Sequence, residues 1–496
     1  MENNFSGGNN LSGSNIISKQ IPADLLTPVL ALIKVKNQFP NHHFLFESVE
    51  KSNNRGRYSI IGLMPDLIWK CENQIAYISS DLKNFRQDQQ HPIASLRNLI
   101  NQSQINQELA PASSPALSPA LSSGIFGYMS YDMGRLMETL PDNNLPDPIN
   151  IPDSIFIRPK ILIVFDALFD VVNIYHPIYA DSEISNEQAV KNIDLVIDLL
   201  NSSKDILPEG KVENKLEKVI NFQSNFNEEE YCLAVQKAKE YIKNGDIFQV
   251  LPSQRFSADF AQKNSLSFYR SLRSINPSPF LFYLQFGDFC LTGSSPEIMA
   301  SVKNKKVTIR PLAGTRKRGA NAAEDKKIAA ELLADEKELA EHLMLIDLGR
   351  HDVGRVCKAG SVKLVEKMVV ENYSHVMHIS STVEGILDDK FDVLDALISG
   401  FPAGTVSGAP KIRAMEIIEE LENCKRSFYA GCVGYFSGNG DMETCITLRS
   451  ALIKNNKIYL QAGAGVVFDS DPKSEYQECL NKAMALVKAA EAMVNY

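Results

Sequence analysis

Four glutamates and one histidine carry the first spacing that could do chemistry. Glu338, Glu341 and His342 lie three and four residues apart within the run Glu338–Asp352, and Glu475 and Glu478 repeat the three-residue step near the C-terminus. On a helix these intervals bring side chains to one face. The four glutamates on two such faces set against each other would offer carboxylate oxygens, the donors a hard divalent cation takes. The same residues also suit a solvated helix surface, and Glu338 could close a capping box with Asp335. Spacing by itself leaves these readings open.

The elements that must position these groups are legible around them. Leu339, Leu343 and Ile346 recur at helical spacing and predict one buried face, with Asp335 at the helix start. Pro472 fits the first turn of a second helix, after Asp471. Further candidates stand on turns and strand ends. Arg310-Pro-Leu-Ala-Gly-Thr-Arg316 is a small-residue turn with a hydroxyl and cations, or else an ordinary basic loop. Arg449 ends an apolar strand, where a guanidinium is costly to bury unless it grips a carboxylate. His375 and His378, three apart in a strand, face opposite ways, so one of them at most enters a site. Gly404–Lys411 lacks the Gly-Lys-Ser/Thr of a phosphate loop, and Gln461–Val467 is flanked by a strand, not by the helix of a dinucleotide fingerprint. Glycines at a strand end do allow backbone to approach a ligand closely.

Bulk properties narrow the class. The 496 residues are 44% hydrophobic and 22% charged, with net charge −9, as in globular proteins. No Lys/Arg stripe points to nucleic acid, no apolar run spans a bilayer, and eight scattered cysteines make no Cys-x-x-Cys pair. We therefore expect a cytoplasmic protein. Residues 1–15 read as a polar disordered tail. Residues 16–205 read as a strand-rich lobe, with strands at His43–Ser48, Tyr58–Gly62 and Lys160–Phe165, a solvated loop at Ala110–Ser123 and a helix at Glu183–Leu200. Residues 206–226 read as a linker and 227–491 as a second domain. There, helices are expected at Glu228–Asn244, Phe391–Ile398 and Pro410–Leu421. Strands are expected at Phe248–Leu251, Phe280–Phe286, Phe289–Thr292, Val362–Glu371, His375–Glu384, Cys432–Phe436 and Thr444–Leu452. The mixed order argues for α+β.

Six segments in this order and spacing resemble the chorismate-utilising enzymes: Arg310–Arg316, Glu338–Arg350, Ser374–His378, Pro402–Lys411, Tyr429–Phe436 and Glu475–Ala483. The N-terminal half is similar to the anthranilate-forming branch of that family through Leu45-Phe-Glu-Ser48, Arg57-Tyr-Ser-Ile60 and Asn276–Tyr283. The resemblance implies an α+β, two-lobed fold with a large mixed or antiparallel sheet core flanked by helices. It further implies a regulatory lobe over 16–205 and a chorismate-binding catalytic domain over 227–491.

By the same resemblance Glu341 and Glu478 would bind Mg²⁺, with Glu338 and Glu475 close by through water. Gly314, Thr315, Tyr429, Arg449 and the backbone of Gly463, Ala464 and Gly465 would hold chorismate, Arg449 taking the enolpyruvyl carboxylate. His378, Thr315 and Glu338 would take part in catalysis. Glu47, Ser48, Pro277, Ser278, Pro279 and Tyr283 would bind tryptophan as feedback inhibitor. Family members that add water carry a Lys base where this chain has Gln249, and aminodeoxychorismate enzymes carry a Lys nucleophile in place of Ala313. An amide is no base and alanine no nucleophile, so ammonia is the expected attacking group. No glutamine-amidotransferase constellation is present, which implies a separate glutaminase subunit in a heterotetramer of two copies each. An aminodeoxychorismate-type enzyme and a non-catalytic chorismate or tryptophan sensor are the rival readings.

Overall fold

The computed structural model describes residues 14–48, 56–105, 121–141, 144–202, 220–373 and 376–492. Within them, twenty-one strands join one hydrogen-bonded sheet. The ladders that cross the sheet tie the N-terminal half to the C-terminal half. His43–Glu47 lies between Tyr58–Glu72 and Phe280–Phe286, and Gly124–Met129 pairs with Cys432–Ser437, all antiparallel. Phe44, Phe126 and Phe282 are buried in one apolar core, and Leu45, Leu281 and Tyr283 point into a second on the opposite side. Successive strand residues face opposite ways, so alternate side chains feed the two cores.

Most of the expected elements form, with extended edges. The Tyr58–Glu72 and Ser154–Asp166 strands run longer than their apolar cores, because they pair with each other almost throughout. The Glu228–Asn244 helix begins at a capping box between Asn227 and Glu230 and ends at Gly245, whose φ is +84°. The 1–13 tail, most of Ala110–Ser123, residues 206–219 of the expected linker, and His375 lie outside the described residues. Beyond them, Asn15 already opens a strand against Val171–Ile178, and Gln223–Ser224 pairs with the Ser253–Asp259 strand. Among the described residues no helix is long and apolar enough to cross a membrane.

Three expectations need correction. Phe248 does not lie in a buried strand: it is 70% exposed, and the strand shrinks to Gln249–Val250, paired with Gly408–Ala409. Leu343 is exposed, while His342 is fully buried and contacts Ser381 at 2.7 Å through Nε2. The helix is therefore rotated from its apolar-stripe reading, with a hydrogen-bonded histidine on the sheet side in place of Leu343. Finally, Thr444–Leu452 is not one strand. Met442–Ile446 and Ser450–Lys454 are separate, and between them Arg449 takes a φ of +46°.

Candidate functional site

Two helices supply the acidic side of the site. Asp335 caps Glu336–Gly354 by accepting from the amides of Lys337 and Glu338 at 3.1 and 3.2 Å. Glu338 does not close a capping box. Its Oε1 accepts from Arg316 Nη1 at 2.8 Å instead. One turn on, Glu341 Oε1 accepts from the Gln249 amide at 2.7 Å. On the Pro472–Ala492 helix, Glu478 is paired with Lys482 at 2.8 Å. Two of the four carboxylates, Glu341 and Glu475, are raised. Burial raises the Glu341 carboxyl above its ordinary range, and Glu338 and Glu478 push it the same way. Burial and Glu478 likewise raise Glu475.

Whether this arrangement suits a cation can be judged from its walls. A Cβ on Gly465 would come within 2.9 Å of the Gln249 amide nitrogen and 3.9 Å of Glu341 Oε1, so a side chain there would push on the amide that holds Glu341. Gly314, at φ +59°, sits in a bulge of the Leu312–Lys317 strand, and a Cβ on it would lie 3.1 Å from Glu338 Oε2. Among the described residues no three His, Cys, Asp or Glu side chains already stand at metal-holding distance. Magnesium is commonly held by one or two carboxylates together with waters and substrate oxygens. An all-oxygen donor set in which Glu341 and Glu475 are raised, bounded by glycine backbone, fits that pattern.

The opposite side of the site is cationic and under-paired. The Arg449 guanidinium makes one side-chain contact, with Asn276 Oδ1 at 3.4 Å, and has no acidic partner among the described residues. Burial weighs against its charge, while Tyr373 and Glu297 favour it. A guanidinium held this way is ready for a ligand carboxylate. His378 lies between the two sides and is 7% exposed. Its Nδ1 is 3.2 Å from the Gly314 carbonyl and 3.1 Å from Thr315 Oγ1, and its Nε2 is buried without a partner. A carbonyl can only accept, so Nδ1 carries the proton and Nε2 presents a lone pair. Burial, Arg449 and Lys482 lower the imidazole pKa to about 3, which keeps the ring neutral. Tyr429 is buried, and its hydroxyl would lie 3.3 Å from a Cβ on Gly463.

Two groups were not singled out from sequence. Glu297, in the Ser294-Ser-Pro-Glu297 turn between two buried strands, is 5% exposed and accepts from the Leu312 amide at 3.3 Å. Burial pushes its carboxyl up to about 8, against the pull of Thr405, Arg449 and Lys482. Its signal is a lone charge within the apolar run from Phe289 to Val302. Lys482 donates to the Gly463 carbonyl at 3.0 Å as well as pairing with Glu478, and its signal is the four-residue step from Glu478.

The residues singled out for tryptophan gather at a second place, beneath the Ser265–Ile275 helix. Glu47 is buried and already partnered, by the Tyr269 hydroxyl at 2.6 Å and by Arg273 at 3.0 and 2.8 Å. Tyr283 meets Ser265 at 3.1 Å, and Ser278 Oγ is buried without a partner. Ser48 ends the same edge, its carbonyl accepting from Gly56 at 2.8 Å. Pro277 and Pro279 are half-buried on either side of Ser278. Neither Tyr269 nor Arg273 was expected here.

The family model for chorismate binding enzymes matches residues 41–488. Anthranilate synthase component 1 of Cereibacter sphaeroides is 47% identical over 494 residues, covering 98% of this chain and 96% of that protein. The protein of the same name from Acetivibrio thermocellus is 40% identical, covering 96% of this chain and 95% of its own length. The crystal structure of anthranilate synthase component I from Streptococcus pneumoniae superposes with a TM-score of 0.77 at 36% identity, covering 95% of this chain and 99% of that one. With a matching model over nearly all of its length and relatives this similar end to end, the chain belongs to the chorismate binding enzymes.

Proposed function

We propose that this chain converts chorismate and ammonia to anthranilate and pyruvate, the first committed step of tryptophan biosynthesis. The observation that carries the reading is Gln249. It holds Glu341 through its amide nitrogen, and its Oε1 is buried without a partner. An amide oxygen accepts a hydrogen bond from ammonia and cannot strip a proton from water. Arg449 binds the enolpyruvyl carboxylate, while Gly314, Thr315, Tyr429 and the Gly463–Gly465 backbone hold the ring. Glu341 and Glu478 would hold Mg²⁺, with Glu338 and Glu475 bound through water. A bound magnesium ion would draw charge from the ring carboxylate and ease departure of the 4-hydroxyl. Glu297, protonated at neutral pH, donates the proton that the leaving hydroxyl needs. The open Nε2 of the neutral His378 accepts a hydrogen bond from the bound ligand.

The name component 1 on the relatives supports a partner component, which in this reading supplies ammonia from glutamine within a heterotetramer. The Glu47 pocket would take tryptophan, whose ammonium competes with Arg273 for the same carboxylate. Inhibition then requires tryptophan to favour one of two conformations. The purified chain, given chorismate, magnesium and ammonium, should release fluorescent anthranilate and an equal amount of pyruvate, and with glutamine alone it should release neither. A hydroxylated product would overturn the reading, and an amino product that keeps its enolpyruvyl group would move the chain to the aminodeoxychorismate type.

A further inference from the structure

Three of the four carboxylates of the proposed cation site, Glu341, Glu478 and Glu338, have a side-chain partner, and the three partners differ in kind. Gln249 on Glu341 is neutral. Lys482 on Glu478 joins side chains that are 46% and 50% exposed, where solvent leaves an ion pair with little weight. Arg316 on Glu338 is different. Its Nη1 donates to Glu338 Oε1 at 2.8 Å and to the Thr315 carbonyl at 3.0 Å, and its Nη2 reaches Asp335 Oδ2 at 2.7 Å. Glu338 is 22% exposed at the side chain and Arg316 35%, so this pair is partly shielded. The guanidinium thus ties Glu338 both to the cap of its own helix and to the strand carrying Gly314 and Thr315.

We propose that Arg316 is a resident counter-cation that holds Glu338 in the cation-free protein and gives it up when a divalent cation binds. The inference rests on the magnesium reading above. Asp335 makes the exchange workable, because Arg316 keeps one carboxylate partner after releasing the other and is not left as an unpaired charge. The Thr315 carbonyl is held by the same nitrogen, so occupancy of the cation site is felt at the turn that carries Gly314 and Thr315. Arg316 acts here as a positioning residue through Glu338.

The test is Mn²⁺ binding to the full chain without chorismate, read from the free-Mn²⁺ electron paramagnetic resonance signal. Arg316→Met should bind Mn²⁺ about fivefold tighter than wild type, the size of one partly shielded ion pair. Arg316→Gln should do the same if the Met variant folds poorly. In a Glu338→Gln background, the Arg316 substitution should bring no further gain. Unchanged or weaker binding in both Arg316 variants overturns the proposal. A gain that persists in the Glu338→Gln background also overturns it, because the effect would then be a general loss of positive charge. If neither wild type nor variants bind Mn²⁺, the cation site itself fails, and this inference fails with it. Binding that is present but insensitive to Arg316 sinks only the exchange.

Discussion

Arg449 and Glu47 are both charged side chains set in apolar surroundings, yet among the described residues Glu47 alone of the two has an ion partner. Among the described residues the site around Arg449 is left incomplete: a guanidinium with no acid in ion-pair contact, His378 Nε2 and Gln249 Oε1 without hydrogen bonds, and a Glu297 carboxyl pushed up to about 8. Buried groups left unpaired cost stability, and together they outline a ligand of complementary charge. The Glu47 carboxylate is satisfied twice over, by Tyr269 and Arg273. A ligand there must displace a resident group, whereas a ligand at Arg449 completes one. The two places adjoin at Asn276. Its side chain contacts Arg449, its amide closes the Ser265–Ile275 helix on Leu272, and Pro277 follows it.

This contrast can be broken or sharpened by substitution. The largest effect is expected at Glu297. Glu297→Gln should lower kcat about a thousandfold near pH 7, the scale of a lost general acid. In the unsubstituted protein, kcat should fall as pH rises through about 8, because the ionised carboxyl no longer donates. The stability change has a definite sign too. Between the ordinary carboxylate range and about 8 the folded state binds the extra proton, so stability drops as pH rises across that window and levels off above it. Thermal melts of Glu297→Gln should lack that slope. A melt profile identical to wild type would place Glu297 in contact with water.

Arg449→Met comes next, with kcat/KM for chorismate down about a hundredfold, the cost of losing a charge-assisted carboxylate contact. Its melting temperature should hold or rise, since no internal ion pair is lost. The smallest effect is expected at the other pocket. Arg273→Met should destabilise the empty protein by about 1–3 kcal/mol, because it leaves the buried Glu47 charge with Tyr269 but without its ion partner, and it should strengthen tryptophan inhibition severalfold. Weaker inhibition with undiminished stability would remove Arg273 as the resident competitor.

How much of this was legible in the sequence depends on the distance over which each cause acts. Helix starts at Asn227, Asp335 and Pro472 were readable because caps and first-turn residues are local. The acidic pairs Glu338–Glu341 and Glu475–Glu478 were readable for the same reason. The partner of Glu341 was not, since Gln249 lies 92 residues away, nor that of Glu47, since Arg273 lies 226 away, and only folding brings them together. His342 was assigned to the wrong face, because helical spacing cannot weigh a buried hydrogen bond to Ser381 against an apolar stripe. The strand break at Arg449 was hidden as well: the run from Thr444 to Leu452 reads as continuous, and the positive φ appears only in the fold.

The central claim is that a cation held from two helices makes the ring reactive toward a neutral amine. It is tested most directly by following anthranilate release while magnesium is titrated into the wild-type chain and into Glu341→Ala/Glu478→Ala, with chorismate and ammonium saturating. The account predicts a strict requirement for magnesium in the wild type and no detectable anthranilate from the doubly substituted, still folded protein. Turnover that survives both substitutions, or that ignores a chelator, would contradict it.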